Sequence, residues 1–330
     1  MNYQKSEAKA AARAQFRGVW AALTTPFKPD FELDERGLRS NMRHLTRNLK
    51  VDGVLCCGTM GEFWALTHDE RKRVLEIVVD EARRGGCKIL AHTAHPSAHE
   101  TIELTRHAQA AGADFAIVMN PYYPPMSEDT VYDWFRFVAE RVDIGLWMFD
   151  ARYAGYSMSP ELIARLADID NICGIKLAWG IDHYAQVYRL CGDRLVLSDP
   201  NEAHLLTMVR EYGQQVYQSS QTPYLYQTAT WQPLREYVEL ALSQRYDEAG
   251  KISKQLEPLR KVHLKWYRNR WSDDKIVPCA YVKAWSELMG LAGGPVRTGL
   301  PQITADERAE LRADVERTGI LGRIPTAKAA

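Results

Sequence analysis

Between residues 18 and 219 the chain repeats one pattern eight times: a short apolar run, a polar turn, then a segment with apolar residues at helical spacing. The runs lie at 18–23, 51–57, 88–92, 115–119, 144–148, 171–177, 195–198 and 215–219. Most are apolar at successive positions, so neither face suits water. Strands of that kind pair in parallel beneath crossover helices. Eight strand-helix alternations select a closed barrel over an open doubly wound sheet. The expected fold is therefore α/β, a (β/α)8 TIM barrel. Local signals agree with these boundaries. Thr67 precedes the helix at 68–84 with Glu70 three positions on, as in a capping box. Ser159-Pro160 places proline at the first helical position. From Trp231 onward the pattern is helical, at 234–241, 246–268, 276–289 and 305–317. The expected organisation is an N-terminal leader helix at 1–17, the barrel at 18–230 and a C-terminal helical extension at 231–330.

Charge and cysteine usage exclude several roles. Lys plus Arg and Asp plus Glu both number 42, so the net charge is zero, which argues against a nucleic-acid partner. No apolar stretch approaches the length of a membrane span, so no membrane partner is expected. The six cysteines contain no CxxC pair and several sit in apolar runs, a usage natural to a reducing cytoplasm. The basic, alanine-rich segment at 4–17 reads as a helix packed on the outside of the domain rather than as a transit peptide.

A parallel barrel carries its active site at the carboxyl ends of its strands. That rule collects Thr24, Thr25, Gly58 to Glu62, His92, Thr93, Asn120 to Tyr123, Phe149, Asp150, Lys176, Ser198, Asp199, Ser219 and Ser220. Lys176 is the anomaly, a cation inside Ile172-Cys173-Gly174-Ile175-Lys176-Leu177. Such a lysine snorkels to solvent, pairs with a carboxylate or loses its proton, and a neutral lysine is a Schiff-base nucleophile. The turn Gly58-Thr59-Met60-Gly61-Glu62 exposes backbone N–H groups suited to a carboxylate, although every barrel needs tight turns of this sort. The histidines at 92, 95 and 99 are interrupted by Pro96, so no metal is expected there.

Five stretches carry a family resemblance: GVWAALTTPF, GTMGEFWALTHDER, NPYYPP, GIKLAWG and VKAWSELMGLAGGPVRTGL. In order and nearly end to end, from about Phe16 to Leu321, the chain resembles the dihydrodipicolinate synthase / N-acetylneuraminate lyase family. The resemblance implies a (β/α)8 barrel with a C-terminal helical extension, a homotetramer (dimer of dimers), and a lysine that forms a Schiff base with pyruvate or another 2-oxo acid, with no cofactor. By that match Lys176 is the Schiff-base residue. Thr59 helps bind the pyruvyl carboxylate and relay protons, and Tyr123 reaches across a dimer interface. Gly58, Met60, Gly61, Met148, Asp150, Tyr153, Ser198, Asp199 and Ser219 complete the expected substrate site.

The departures shape the expected chemistry. The family's strand-five acid/base tyrosine aligns with Met148 or, one residue on, Phe149, and neither can transfer a proton. The second hydroxyl of the family's turn is Met60, and its glycine after strand seven is Asp199. Asp150, Tyr153, Tyr156, His92, Tyr123 or water are candidates for moving protons instead. Trp20, Met60, Phe63, Trp64, Trp147, Met148, Phe149, Tyr153, Tyr156 and Tyr217 fall at or near expected strand ends, which favours a bulky or aromatic substrate and is similar to the hydratase-aldolase branch. The expected function is a Schiff-base lyase, an aldolase or hydratase-aldolase, whose small-molecule partners are a 2-oxo acid and an aldehyde. A 2-oxo-acid dehydratase and a noncatalytic 2-oxo-acid-binding barrel are the alternatives.

Overall fold

The computed structural model describes residues 2–150, 155–218 and 221–325. Its strands are β1 (Gly18–Ala22), β2 (Gly53–Cys56), β3 (Lys88–His92), β4 (Phe115–Met119), β5 (Leu146–Asp150), β6 (Ile172–Leu177), β7 (Val196–Ser198) and β8 (Val216–Gln218). They form one eight-stranded parallel sheet in the order β7-β6-β5-β4-β3-β2-β1-β8. The sheet is a nearly closed barrel of the TIM type. At the seam between β7 and β8, side chains supply bonds: Ser198 Oγ accepts from Gln218 N at 3.3 Å, and Gln214 Nε2 donates to Val216 O at 3.0 Å.

The helices are α1 (Ala8–Gln15), α2 (Glu35–Arg43), α3 (His68–Gly85), α4 (Ala98–Ala111), α5 (Glu128–Glu140), α6 (Pro160–Leu166), α7 (Ile181–Cys191), α8 (Leu205–Tyr212), α9 (Thr222–Leu225), α10 (Pro233–Leu242), α11 (Tyr246–Gln255), α12 (Glu257–His263), α13 (Asn269–Ser272), α14 (Cys279–Leu288) and α15 (Ala305–Arg317). Thr67 and Glu70 form the expected capping box, and Ser159 caps α6 ahead of Pro160. The helix expected at 246–268 is broken. Pro258 sits in the first turn of α12 and cannot continue the hydrogen-bond ladder of α11. Pro278 likewise delays α14 until Cys279. No helix of the described residues is long and apolar enough to cross a membrane. The chain divides into two compact units, Met1–Trp20, Asp52–Leu55 and Lys88–Ser219 in one, and Ala21–Val51, Cys56–Cys87 and Ser220–Ala330 in the other.

In the first unit the basic N-terminal segment has a definite job. Lys5 Nζ donates to Ala139 O at 2.6 Å, Lys9 Nζ to Ala167 O at 2.5 Å, and Arg13 to Asp193 O. These carbonyls lie at or just beyond the ends of α5, α6 and α7, where orphan acceptors and the helix dipole favour cations. Phe16, which follows α1, stacks on Trp20 with ring centroids 4.1 Å apart, and meets Trp147 at 4.2 Å and Phe115 at 4.9 Å. Trp20 and Trp147 were expected at the barrel mouth. They belong instead to this buried cluster, because both lie toward the amino ends of their strands or pack on a residue that precedes β1.

Register sorts the strands into inward layers. His92 pairs with Ile117, Ile117 with Trp147 and Trp147 with Gly174; the next layer is Met119, Phe149, Lys176 and Ser198. Gly174 is required by close approach, since a Cβ there would lie 2.4 Å from the Trp147 ring. Gly174→Ala is therefore expected to destabilise the fold by about 1–3 kcal/mol, the usual cost of overpacking. Urea unfolding with an unchanged midpoint would contradict this packing.

Candidate active site

Lys176 lies near the carboxyl end of β6, two residues beyond Gly174 and on the same face of the strand. Its register partners are Phe149 on β5 and Ser198 on β7. Its side chain is only 6% exposed, and its Nζ stands 4.9 Å from the centroid of the Phe149 ring. Among the described residues the amine forms no hydrogen bond or ion pair. Burial draws its pKa down from 10.5 to about 8, against an opposing pull from the Asp199 carboxylate. At pH 7 roughly a tenth of such amines are neutral, several-hundredfold more than for a solvated lysine. The snorkelling alternative is not what the fold adopts.

Two expected substrate contacts change place. Met148 pairs with Ile175, not with Lys176, so it faces away from the amine. The side-chain period of a strand is two, and a one-residue offset reverses the face. Phe149 is therefore the residue beside the amine. Asp150 follows on the outward face, and its carboxylate is fully engaged. Oδ1 accepts from Met158 N at 3.1 Å, and Oδ2 contacts Ser157 Oγ at 3.0 Å and His183 Nε2 at 3.1 Å. Asp150 thus anchors the segment before α6. Tyr156 donates its hydroxyl to Pro121 O at 2.7 Å, and burial pushes its pKa up to about 12, so it holds its proton at neutral pH. His92 occupies the layer beneath Lys176 and is buried. Tyr123 is 70% exposed. Tyr153, Ser219 and Ser220 lie outside the described residues.

Ser198 closes the strand seam beside Lys176, and Asp199 comes next. Asp199 is buried, with Asn201 N donating to Oδ1 at 2.6 Å and His204 Nδ1 2.8 Å from Oδ2. Gln214 Oε1 accepts from Asp199 N at 2.8 Å. Sequence reasoning located Asp199 but had no means of finding His204, five residues on.

The second unit contains the turn after β2. Thr59–Gly61 form one turn of 3-10 helix with Gly58 before it, and Thr59 and Met60 are buried. Thr59 Oγ1 has no hydrogen-bond partner among the described residues. Thr25 Oγ1 donates to Gly61 O at 2.8 Å, and Cys279 Sγ lies 3.5 Å from Thr59 O. Glu62 ends the turn in the left-handed region, at φ 54°, unusual for a side chain of its size. It is held there by an ion pair of 2.5 Å to Lys283 Nζ and by Arg297 N at 2.9 Å. Lys283 Nζ also donates to Pro295 O at 2.8 Å and lies 4.2 Å from the Phe27 ring centroid. This pair was not anticipated. The available signal was the same as for Lys176, a solitary lysine in an apolar run, Ala280-Tyr281-Val282-Lys283-Ala284-Trp285.

Residues 15–318 match the Dihydrodipicolinate synthetase family. The chain belongs to that family. Among the relatives of this family member, the 4-hydroxy-tetrahydrodipicolinate synthase of Methanothrix thermoacetophila is 34% identical over 303 residues, 90% of this chain and 95% of the relative. That of Syntrophus aciditrophicus is 31% identical over 321 residues, 93% of this chain and all of the relative. A dihydrodipicolinate synthase from Aquifex aeolicus superposes with a TM-score of 0.79 at 25% identity, covering 92% of this chain and 99% of that one. A prophage protein of the same family from E. coli K12, solved with pyruvate, has a TM-score of 0.81 at 24% identity, covers 92% of this chain and 99% of that one, and shares the fold.

Proposed function

We propose that this dihydrodipicolinate synthetase family member is a Schiff-base-forming, class I, metal-independent lyase. Its substrate is pyruvate, or a pyruvate-releasing 2-oxo acid with a bulky or aromatic substituent. One observation carries the reading: Lys176 is a buried amine drawn down to about 8 at a strand's carboxyl end, with no ion-pair partner among the described residues. The neutral amine attacks the 2-oxo carbon, and a proton passes from nitrogen to oxygen to give a carbinolamine. A second proton then allows water to leave and a cationic imine remains. That imine accepts the electron pair when the adjacent carbon loses a proton or when a carbon-carbon bond breaks to release an aldehyde.

In this reading Thr59, with the amides of Gly58 to Gly61, holds the substrate carboxylate. The buried Thr59 hydroxyl, without a hydrogen-bond partner among the described residues, supports that role. Tyr123 serves from a neighbouring subunit of a homotetramer, a role that its exposure in the single chain suits. Met60 and Phe149 put apolar groups where hydroxyl groups are expected, which supports a bulky substituent; Ser198, Asp199, Tyr153 and Ser219 complete the site. Phe149 beside the amine is also the observation that favours a second reading, a 2-oxo-acid dehydratase, since imine formation persists without a tyrosine for aldol chemistry. The six cysteines are buried thiols, which supports a cytoplasmic setting.

Sodium borohydride added with pyruvate is expected to trap an adduct on Lys176. Free-amine acetylation of the same residue should rise with pH through a midpoint near 8. An unlabelled Lys176 under conditions that label another family member would overturn the reading. Aryl aldehyde release from aryl-substituted 2-oxo acids, set against formation of 4-hydroxy-tetrahydrodipicolinate, then distinguishes the substrate class.

A further inference from the structure

The wall that carries Lys176 holds a second polar group, one that the fold itself does not use. Strand β8 comes from the run Gln215-Val216-Tyr217-Gln218-Ser219, the least apolar of the eight. Gln218 is fully buried, and neither its Nε2 nor its Oε1 has a hydrogen-bond partner among the described residues. Register fixes where its side chain points. Gln218 pairs with Trp20 on β1, and Trp147 on β5 pairs with Gly174 on β6. Strands β1 and β5 stand on opposite sides of the eight-stranded ring, yet the Phe16 ring lies 4.1 Å from Trp20 and 4.2 Å from Trp147. Side chains of opposite strands can meet one ring only inside the barrel, so Trp20 and its partner Gln218 face inward. Lys176, two residues beyond Gly174, faces the same way. The two are also linked along the wall: Ser198 is the register partner of Lys176, and its Oγ accepts from Gln218 N at 3.3 Å.

We propose that Gln218 holds the water that hydrolyses the imine on Lys176. The proposal deepens the Schiff-base reading and rests on it. A buried amide is costly unless its donors and acceptor are used. An anion would occupy Nε2 and leave Oε1 without a donor, and a cation would do the reverse, whereas water serves both. A buried water takes about two to four polar partners. The Gln218 amide and the Lys176 amine supply them, on a wall that also carries Ile117, Met119 and Phe149. The chemistry needs this water, because iminium and water must give ketone and ammonium before the lysine can act again. The water oxygen bonds the imine carbon, and the carbon-nitrogen π pair moves onto nitrogen. One proton passes from that oxygen to nitrogen, the carbon-nitrogen bond breaks, and the 2-oxo group is restored. Both water protons end on the lysine. Gln218 takes up none of them, since an amide is neither acid nor base at working pH; it fixes the position of the attacking oxygen.

The test is a pulse-chase on the full-length chain. The protein is loaded with radiolabelled pyruvate, chased with excess unlabelled pyruvate and quenched with borohydride at intervals, so that decay of the labelled Lys176 adduct reads imine hydrolysis. Gln218→Met keeps the shape of the side chain and removes its donors and acceptor. Decay is expected to slow about tenfold, the usual effect of losing one neutral hydrogen bond. The plateau of trapped adduct should not change, because a group that acts in the transition state alters rate and not equilibrium. Gln218→Ser restores a donor and an acceptor with room for water, and should decay within about threefold of wild type. The urea midpoint of Gln218→Met should not fall, since no protein partner is left unpaired. Wild-type decay in folded Gln218→Met would overturn the proposal, as would equal slowing in both variants, which indicates packing. A Gln218→Met chain that unfolds would also overturn it, by showing that the amide holds the fold. Absence of any trapped adduct in the wild type would instead strike the Schiff-base reading.

Discussion

Lys176→Ala is expected to abolish both pyruvate trapping and turnover. The loss should be on the order of a million-fold, the scale seen when a covalent nucleophile is removed. Lys176→Arg should be as inactive, because a guanidinium stays protonated and offers no nucleophilic lone pair at any working pH. The same position should show a trade against stability. A depression from 10.5 to about 8 means that, below pH 8, the folded chain holds a cation that the unfolded chain would solvate. That penalty is roughly 3 kcal/mol, fully present below the folded value and fading as pH rises toward 10.5. Lys176→Met should therefore stabilise the fold near pH 7, by up to about that amount, and the gain should shrink above pH 9. Calorimetry and denaturant unfolding on the same samples check both halves. Pyruvate binding that survives Lys176→Ala, together with a wild type that turns over no 2-oxo acid, would instead favour the noncatalytic barrel.

Lys283→Met should be the most damaging change outside the Schiff-base site. It leaves the Glu62 carboxylate buried with Arg297 N but without its cation, and breaking a buried pair from one side costs roughly 3–5 kcal/mol. Burial pulls the Lys283 pKa down while Glu62 pulls it back up, so the lysine depends on that carboxylate to remain charged. The strain is local as well. Glu62 adopts left-handed backbone geometry immediately after the Thr59–Gly61 turn, and the ion pair holds that geometry in place. The double variant Lys283→Met, Glu62→Gln should recover a substantial part of the loss, because no uncompensated charge remains. Urea unfolding of the four proteins of this cycle gives the coupling directly. A single-variant loss below about 1 kcal/mol would show that water reaches Glu62 and that the pair is not buried in solution.

Both lysines announce themselves in the same way, yet the structure gives them opposite roles. Lys176 has aromatic carbon beside it and no ion-pair partner among the described residues; Lys283 has a carboxylate at 2.5 Å. An apolar run with one cation identifies a buried amine but not its company. The company decides whether that amine is reactive or structural.

What the sequence alone determined is whatever follows from local pattern. Eight apolar runs alternating with helical segments are enough for a parallel barrel, since period and strand polarity are written within short windows. Proline and cap residues set most helix ends, and Pro258 shows the rule at work where a longer helix was expected. Lys176 was legible because a lysine in a buried strand is anomalous without reference to any neighbour. Tertiary structure decided everything that turns on facing and pairing. A one-residue difference in register put Phe149 beside the amine and turned Met148 away, and the next residue, Asp150, was spent on Met158, Ser157 and His183. The Phe16 cluster and the Glu62–Lys283 pair likewise depend on which residues the closed strands and returning helices bring within a few ångströms. A strand's sequence specifies that its side chains alternate; only the packed barrel specifies which of the two faces looks at Lys176.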